Sequence, residues 1–249
     1  GHYSLSSSFM GIQEQNTSSD PALLGAGLRV EADARIPLNE KDSLYIDLRP
    51  SRIYTAEYED DSGEFFVKDL DLSVGYEREL SDTFALRAGA NVDIRDTDAN
   101  YAGTSADART ALVGPELGFT YTQGKVTLDG YAAVGFGETS TDVNVSGFFA
   151  TQDPVFQFKP GMDLTYRLSR RLSLGVSTQF ENSYSTSTLQ NGDAVLRDSS
   201  QFLIGPNFSY RLTESMNFVS GANYSLMDTS IDGRNPSGAE VYMGLQFEF

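Results

Sequence analysis

Side chains in an extended strand point to opposite faces in turn, so hydrophobicity with a period of two marks a strand with one greasy and one polar side. Residues 24–36 hold this pattern without a break. Leu24, Ala26, Leu28, Val30, Ala32, Ala34 and Ile36 share one face, while Gly25, Gly27, Arg29, Glu31, Asp33 and Arg35 share the other. The same rhythm continues in Leu44, Ile46 and Leu48, then Tyr54, Ala56 and Tyr58, and after them in Phe66, Leu70, Leu72, Val74 and Tyr76. Phe84 to Ile94, Ala111 to Tyr121, Val126 to Phe136 and Phe158 to Leu168 repeat it. So do Leu172 to Phe180, Phe202 to Leu212, Phe218 to Leu226 and Val241 to Phe249. With a weaker first strand near Tyr3 to Ile12, about twelve strands are predicted, a number known among membrane barrels.

The connections alternate in length. A short set comprises residues 37–42, 80–83, 122–125, 169–171 and 213–216; a longer, polar set comprises 15–21, 59–63, 96–107, 138–155, 182–199 and 228–238. Membrane barrels of bacteria have short periplasmic turns and longer outer loops, which predicts periplasmic termini and extracellular long loops. Aromatics on the greasy face fall into two bands, one near the short turns (Tyr76, Tyr121, Tyr166, Tyr210) and one near the long loops (Tyr54, Tyr58, Phe136, Phe180). Such bands mark the two water interfaces of a bilayer.

The predicted fold is therefore all-β: one membrane-spanning antiparallel up-and-down β-barrel of about twelve strands over residues 1–249. Alternation alone does not say which face points inward, and a soluble ligand-carrying barrel also has one apolar face. Such a barrel would keep its aromatics inside and would not place charge and glycine there. A soluble sandwich would bring two apolar faces together about 10 Å apart and would show no rims.

Composition narrows the function classes. The weakly polar run at 130–137 is far too short for a membrane helix of about 20 residues. Cysteine is absent, which excludes disulfides, thiolate metal sites and a cysteine nucleophile. No charged start precedes an apolar core and cleavage site, so any export signal is expected to have been removed. The formal charge of −17 argues against a nucleic-acid partner, which requires a basic surface. His2 is the only histidine and lies at the very start of the chain, so general-base activation of a serine has no candidate and no enzyme is expected.

The last strand, with Val241, Met243, Leu245, Phe247 and terminal Phe249 in one phase, resembles the C-terminal strand of Gram-negative outer-membrane β-barrel proteins, which are porin-like in architecture. That resemblance implies location in the bacterial outer membrane, contact with lipid bilayer and lipopolysaccharide, and recognition of this strand by the barrel assembly machinery. Closure follows from physics, because an open sheet edge in hydrocarbon leaves backbone groups unpaired at several kcal/mol each.

On the polar face, acids outnumber bases. Arg29, Glu31, Asp33 and Arg35 stack on one predicted strand, and Asp47, Arg49, Asp69, Asp71, Arg87 and Asp93 follow on its neighbours. These ten are the candidates for a lumen constriction; an ion-pair ladder that merely fills the lumen is the competing reading. Glu57 is also assigned inward. Glycine recurs on the same face, either to leave a water path or to make room for long side chains. Acidic loops around Asp60 and Asp61 and around Asp96 and Asp98 offer hard oxygen ligands for Ca²⁺ or Mg²⁺, or for ions bridging to lipopolysaccharide, although neither has EF-hand spacing. No other cofactor is expected. Rings of carboxylates favour cations, so the expected function is that of a porin-like channel for passive diffusion of small hydrophilic solutes, with a preference for cations. A non-conducting barrel with structural, adhesive or partner-binding outer loops is the alternative.

Overall fold

The computed structural model describes residues 1–15, 22–58, 63–101, 104–145, 147–188, 194–229 and 237–249. Twelve strands follow one another: β1 (His2–Gln15), β2 (Leu23–Pro37), β3 (Asp42–Tyr58), β4 (Gly63–Ser81), β5 (Phe84–Tyr101), β6 (Thr104–Gln123), β7 (Val126–Val145), β8 (Gly147–Arg167), β9 (Leu172–Thr188), β10 (Ala194–Arg211), β11 (Met216–Thr229) and β12 (Ser237–Glu248). Each pairs antiparallel with its neighbours in sequence, and β12 returns to β1 to close the barrel. The closing ladder runs from Ser4 opposite Glu248 to Gln15 opposite Ser237, so neither edge is left unpaired. Phe249 donates its N–H to the Tyr3 carbonyl at 2.9 Å, which ties the two ends of the chain together at the short-turn end.

The greasy phase faces outward. Phe9, Leu117, Val241 and Met243 are more than half exposed, while Ser6, Ser8, Arg29, Asp71, Ser73 and Glu116 on the other phase are buried. This is the inverse of a water-soluble core, and it is what hydrocarbon solvent demands: apolar side chains outside, and charges only where an enclosed lumen hydrates or pairs them. No helix among the described residues is long and apolar enough to cross a membrane.

Short turns form by local chemistry. Gly124 holds φ of 62° in the β6–β7 turn, a left-handed conformation open to glycine at little cost. In the β2–β3 turn the Asn39 carboxamide oxygen accepts from the N–H groups of Lys41 and Asp42, at 2.9 and 3.0 Å. The Tyr76 hydroxyl and the Asn39 amide donate to the exposed Asp42 carboxylate and hold it below its usual range.

Two sequence expectations are corrected here. The long connections are in large part strand: 96–101 and 104–107 extend β5 and β6, and β7 and β8 run on to Val145 and from Gly147. A bilayer is crossed by about 9–11 tilted residues, so strands of up to 21 residues project well beyond it. Outside the membrane both faces are wet, alternation disappears, and backbone pairing continues without a hydrophobic signature.

The second correction concerns β3. Its register shifts against both neighbours: Leu48 opposes Ala32 and Leu72, but Ser51 opposes Val30 and Arg52 opposes Asp69. One extra residue is accommodated around Arg49, Pro50 and Ser51, a bulge in which proline's missing N–H does no harm. Beyond it the phase inverts. Ile53 is half exposed outside, Ala56 is buried inside, and Tyr54 turns inward. Tyr54, Ala56 and Tyr58 therefore leave the outer face to which the alternation assigns them; Tyr58 instead packs edge-on against Phe65 with ring centres 5.6 Å apart. Glu57, expected in the lumen, is exposed on the outside.

Candidate functional site: a charged lumen with one neutral wall

The alternation of β2 to β8 sends their polar side chains into the barrel, where they find each other across strands. Arg29 donates through Nε to Glu31 at 2.6 Å and through Nη1 to Glu240 at 3.0 Å. Arg49 reaches Glu116 at 2.7 Å and Asp71 at 3.6 Å, and Lys159 Nζ lies 2.7 Å from Asp71 and 2.5 Å from Asp93. Arg87 bridges Asp47 and Asp129, and Arg35 joins Asp47 and Glu77. Arg95 and Arg52 both approach Asp69, at 3.3 and 3.9 Å. Seven cationic side chains thus contact nine carboxylates. Asp33, Asp163 and Glu181 add three more acids to the lining, so the lumen keeps a negative excess.

Tyrosines support the arginines, and glycines seat the tyrosines. The guanidinium of Arg29 lies 3.9 Å from the Tyr242 ring centre, and that of Arg49 lies 3.6 Å from the Tyr131 ring centre. Arg35 and Arg87 flank Tyr45 at 5.5 and 5.8 Å. Tyr45 lies over the paired glycines Gly75 and Gly89; a methyl group on Gly89 would come within 2.5 Å of its hydroxyl. Tyr131 covers Gly161 and Tyr242 covers Gly221 in the same way. Gly75, Gly89, Gly161 and Gly221 thus leave room for tyrosines, whereas a methyl group on Gly114, Gly137 or Gly244 would first meet a backbone carbonyl of the neighbouring strand. Such stacking holds each guanidinium plane in one orientation, with its N–H edges aimed at carboxylates.

All ten constriction candidates, Arg29, Glu31, Asp33, Arg35, Asp47, Arg49, Asp69, Asp71, Arg87 and Asp93, line one cavity of about 620 Å³. Its far wall comes from β9 to β11 and is mostly neutral: Ser177, Gln179, Gln201, Leu203, Asn207 and Asn223. A much smaller space of about 40 Å³ lies toward the long-hairpin end, between Glu14, Tyr54 and Glu240. Sequence reasoning passed over Tyr45, Tyr131 and Tyr242, although their position in the polar phase was a signal. It also missed Arg52, because the bulge inverts the phase; the clue was an arginine that unbroken alternation would have placed in lipid.

The other predicted residues are dispersed. Val241, Met243, Leu245, Phe247 and Phe249 all point outward along β12. Asp96 lies on β5 with a carboxylate oxygen 3.5 Å from Arg109 Nε, and Asp98 is exposed on the same strand. Asp60 and Asp61 fall outside the described residues. Among the described residues no three acidic, histidine or cysteine side chains gather as a metal site would require.

Comparison with known proteins adds a family and a fold. The family profile described as "Putative MetA-pathway of phenol degradation" matches residues 14–233. No curated protein matches the chain. Among solved structures, the translocator domain of the autotransporter NalP from Neisseria meningitidis is similar at 13% identity and a TM-score of 0.59, covering 100% of this chain and 88% of that one. A Pseudomonas aeruginosa FadL homologue gives 8% identity and a TM-score of 0.54, with 99% and 90% covered. The Ralstonia pickettii toluene transporter TbuX gives 10% and 0.51, with 100% and 89% covered. At these identities the likeness is one of fold, the closed barrel of the outer membrane.

Proposed function

Since the chain belongs to the family described as "Putative MetA-pathway of phenol degradation", we propose that it is an outer-membrane channel for small hydroxylated aromatic solutes, with a preference for neutral or cationic species over anions. The carrying observation is the cavity of about 620 Å³ inside a closed barrel, bounded by arginine–tyrosine stacks on one side and by amides and hydroxyls on the other. This volume lies within the range of small-molecule sites. Its lining offers ring faces and hydrogen-bonding groups together, a combination that suits a ring bearing hydroxyls better than a bare hydrocarbon. The excess of carboxylates raises the local cation concentration and disfavours aromatic carboxylates.

In this reading the ten candidate residues form the charged wall of the path, the termini and short turns face the periplasm, and the long hairpins face outward. The outer face of β12, ending in Phe249, is the surface handed to the assembly machinery. Asp60, Asp61, Asp96 and Asp98 hold divalent ions only as a bridge to lipopolysaccharide phosphates.

The test is swelling of proteoliposomes in resorcinol, benzoate or an inert sugar, together with the reversal potential of single channels in a KCl gradient. Resorcinol entry above the rate of empty liposomes, slower benzoate entry and cation preference are expected. Arg29→Ala and Arg49→Ala should alter conductance. Silent insertion would favour a non-conducting barrel, and anion preference would overturn the charge argument.

A further inference from the structure

The two lumen spaces meet at a ring of four shared lining residues: Arg52 from β3, Gln201 and Leu203 from β10, and Asn223 from β11. One side of this neck is the bulged strand, and the other is the neutral wall. We infer that Arg52, held against Glu240, is the selectivity-determining residue at the neck of the channel. This rests on the channel reading above and specifies which residue sets its selectivity.

Three observations support it. First, Arg52 extends from β3 toward Glu240 on β12, past two intervening strands, with Nε 3.1 Å from Oε2; its side chain therefore stands across the lumen instead of along the wall. Second, its guanidinium is weakly fastened. Its Nε is buried but makes no hydrogen bond of acceptable geometry, the contact to Glu240 being close but poorly aligned, and its other acid, Asp69, is 3.9 Å away. By contrast, Arg29 and Arg49 are stacked on tyrosines at 3.9 and 3.6 Å. Third, its partners do not depend on it, since Glu240 keeps Arg29 at 3.0 Å and Asp69 keeps Arg95 at 3.3 Å. A side chain that blocks the way, is loosely held and leaves no orphaned charge when it moves has the properties of an adjustable constriction.

The bulge explains how the residue comes to be there. Without the extra residue at Pro50, position 52 would face lipid, at a cost that falls steeply only near the interfaces. The inversion of phase in β3 converts that position into a lumen position at the level where the cavity narrows.

The experiment compares wild type, Arg52→Gln, Glu240→Gln and Arg78→Gln in planar bilayers, with heat-modifiable migration on gels as the folding check. A unit charge about 7 Å from a permeating ion in watery surroundings changes its partition by roughly threefold. Arg52→Gln should therefore raise the K⁺/Cl⁻ permeability ratio by roughly threefold or more and increase conductance. Glu240→Gln should lower the ratio and provides the readout should Arg52→Gln fail to fold. Arg78→Gln removes the same charge from an exposed position that lines neither lumen space and should leave conductance near that of wild type. If wild type conducts but Arg52→Gln and Arg78→Gln behave alike, or if folded Arg52→Gln matches wild type, the neck assignment is overturned while the channel stands. A wild type silent in every lipid overturns the channel reading itself.

Discussion

Lys159 is the residue on which the lumen network depends most. Its ammonium group, almost sealed from water, is the cation shared by Asp71 and Asp93. Breaking such a pair from one side leaves buried carboxylates uncompensated, at about 3–5 kcal/mol. Lys159→Met is expected to lower the unfolding free energy in lipid by about that amount, and adding Asp93→Asn should restore part of it. Urea titration followed by tyrosine fluorescence or gel shift measures both; a single variant as stable as wild type would contradict the pairing. Tyr45 offers the opposite case. Its hydroxyl is buried and makes no hydrogen bond among the described residues, so Tyr45→Phe removes a desolvated polar group at no loss of contact. Stability should stay level or rise by about 1 kcal/mol. Gly89→Ala, whose methyl would come within 2.2 Å of the Val74 carbonyl oxygen and 2.5 Å of that same hydroxyl, should cost about 1–3 kcal/mol.

Among the elements, β3 and β12 carry the most specific expectations. Deleting Pro50 removes the extra residue and would turn Arg52 and Tyr54 toward lipid while bringing Ile53 inside. With Arg exposed to hydrocarbon at about 2–4 kcal/mol, the folded, heat-modifiable band should be largely lost; a normal barrel would mean that the bulge can be bypassed. Removal of Phe249 should reduce membrane assembly in cells yet leave folding into detergent micelles nearly intact, since the residue is largely exposed and adds one backbone bond to Tyr3. Strand number, closure and the inward charge of β2 were legible because alternation is enforced wherever one face meets lipid and the other water. Two features were not. The continuation of β5 to β8 beyond the bilayer leaves no hydrophobic trace, and the inversion at Arg49, Pro50 and Ser51 breaks the counting on which alternation depends. The ten charged candidates converge on one cavity because their phase is simple; which cation stands at its neck depends on the one strand whose phase is not.

At the scale of the whole molecule, the barrel is a cylinder with hydrocarbon as its outer solvent and a lopsided interior, charged along β2 to β8 and, Glu181 apart, neutral along β9 to β11. That asymmetry leaves the cavity beside the ion-pair network instead of through its centre. The central claim is that the apolar phase meets lipid and the charged phase meets enclosed water, with one inversion in β3. The absence of cysteine makes the claim directly measurable by single-cysteine spin labels at positions 44–56 in bilayers, scored for access to oxygen or to a water-soluble nickel chelate. Oxygen access should peak at positions 44, 46 and 48, lapse across the bulge, and return at 53 and 55, while the chelate should reach 45, 47, 52 and 54. An unbroken even–odd alternation through position 56, or chelate access along the apolar face of the strand, would contradict it.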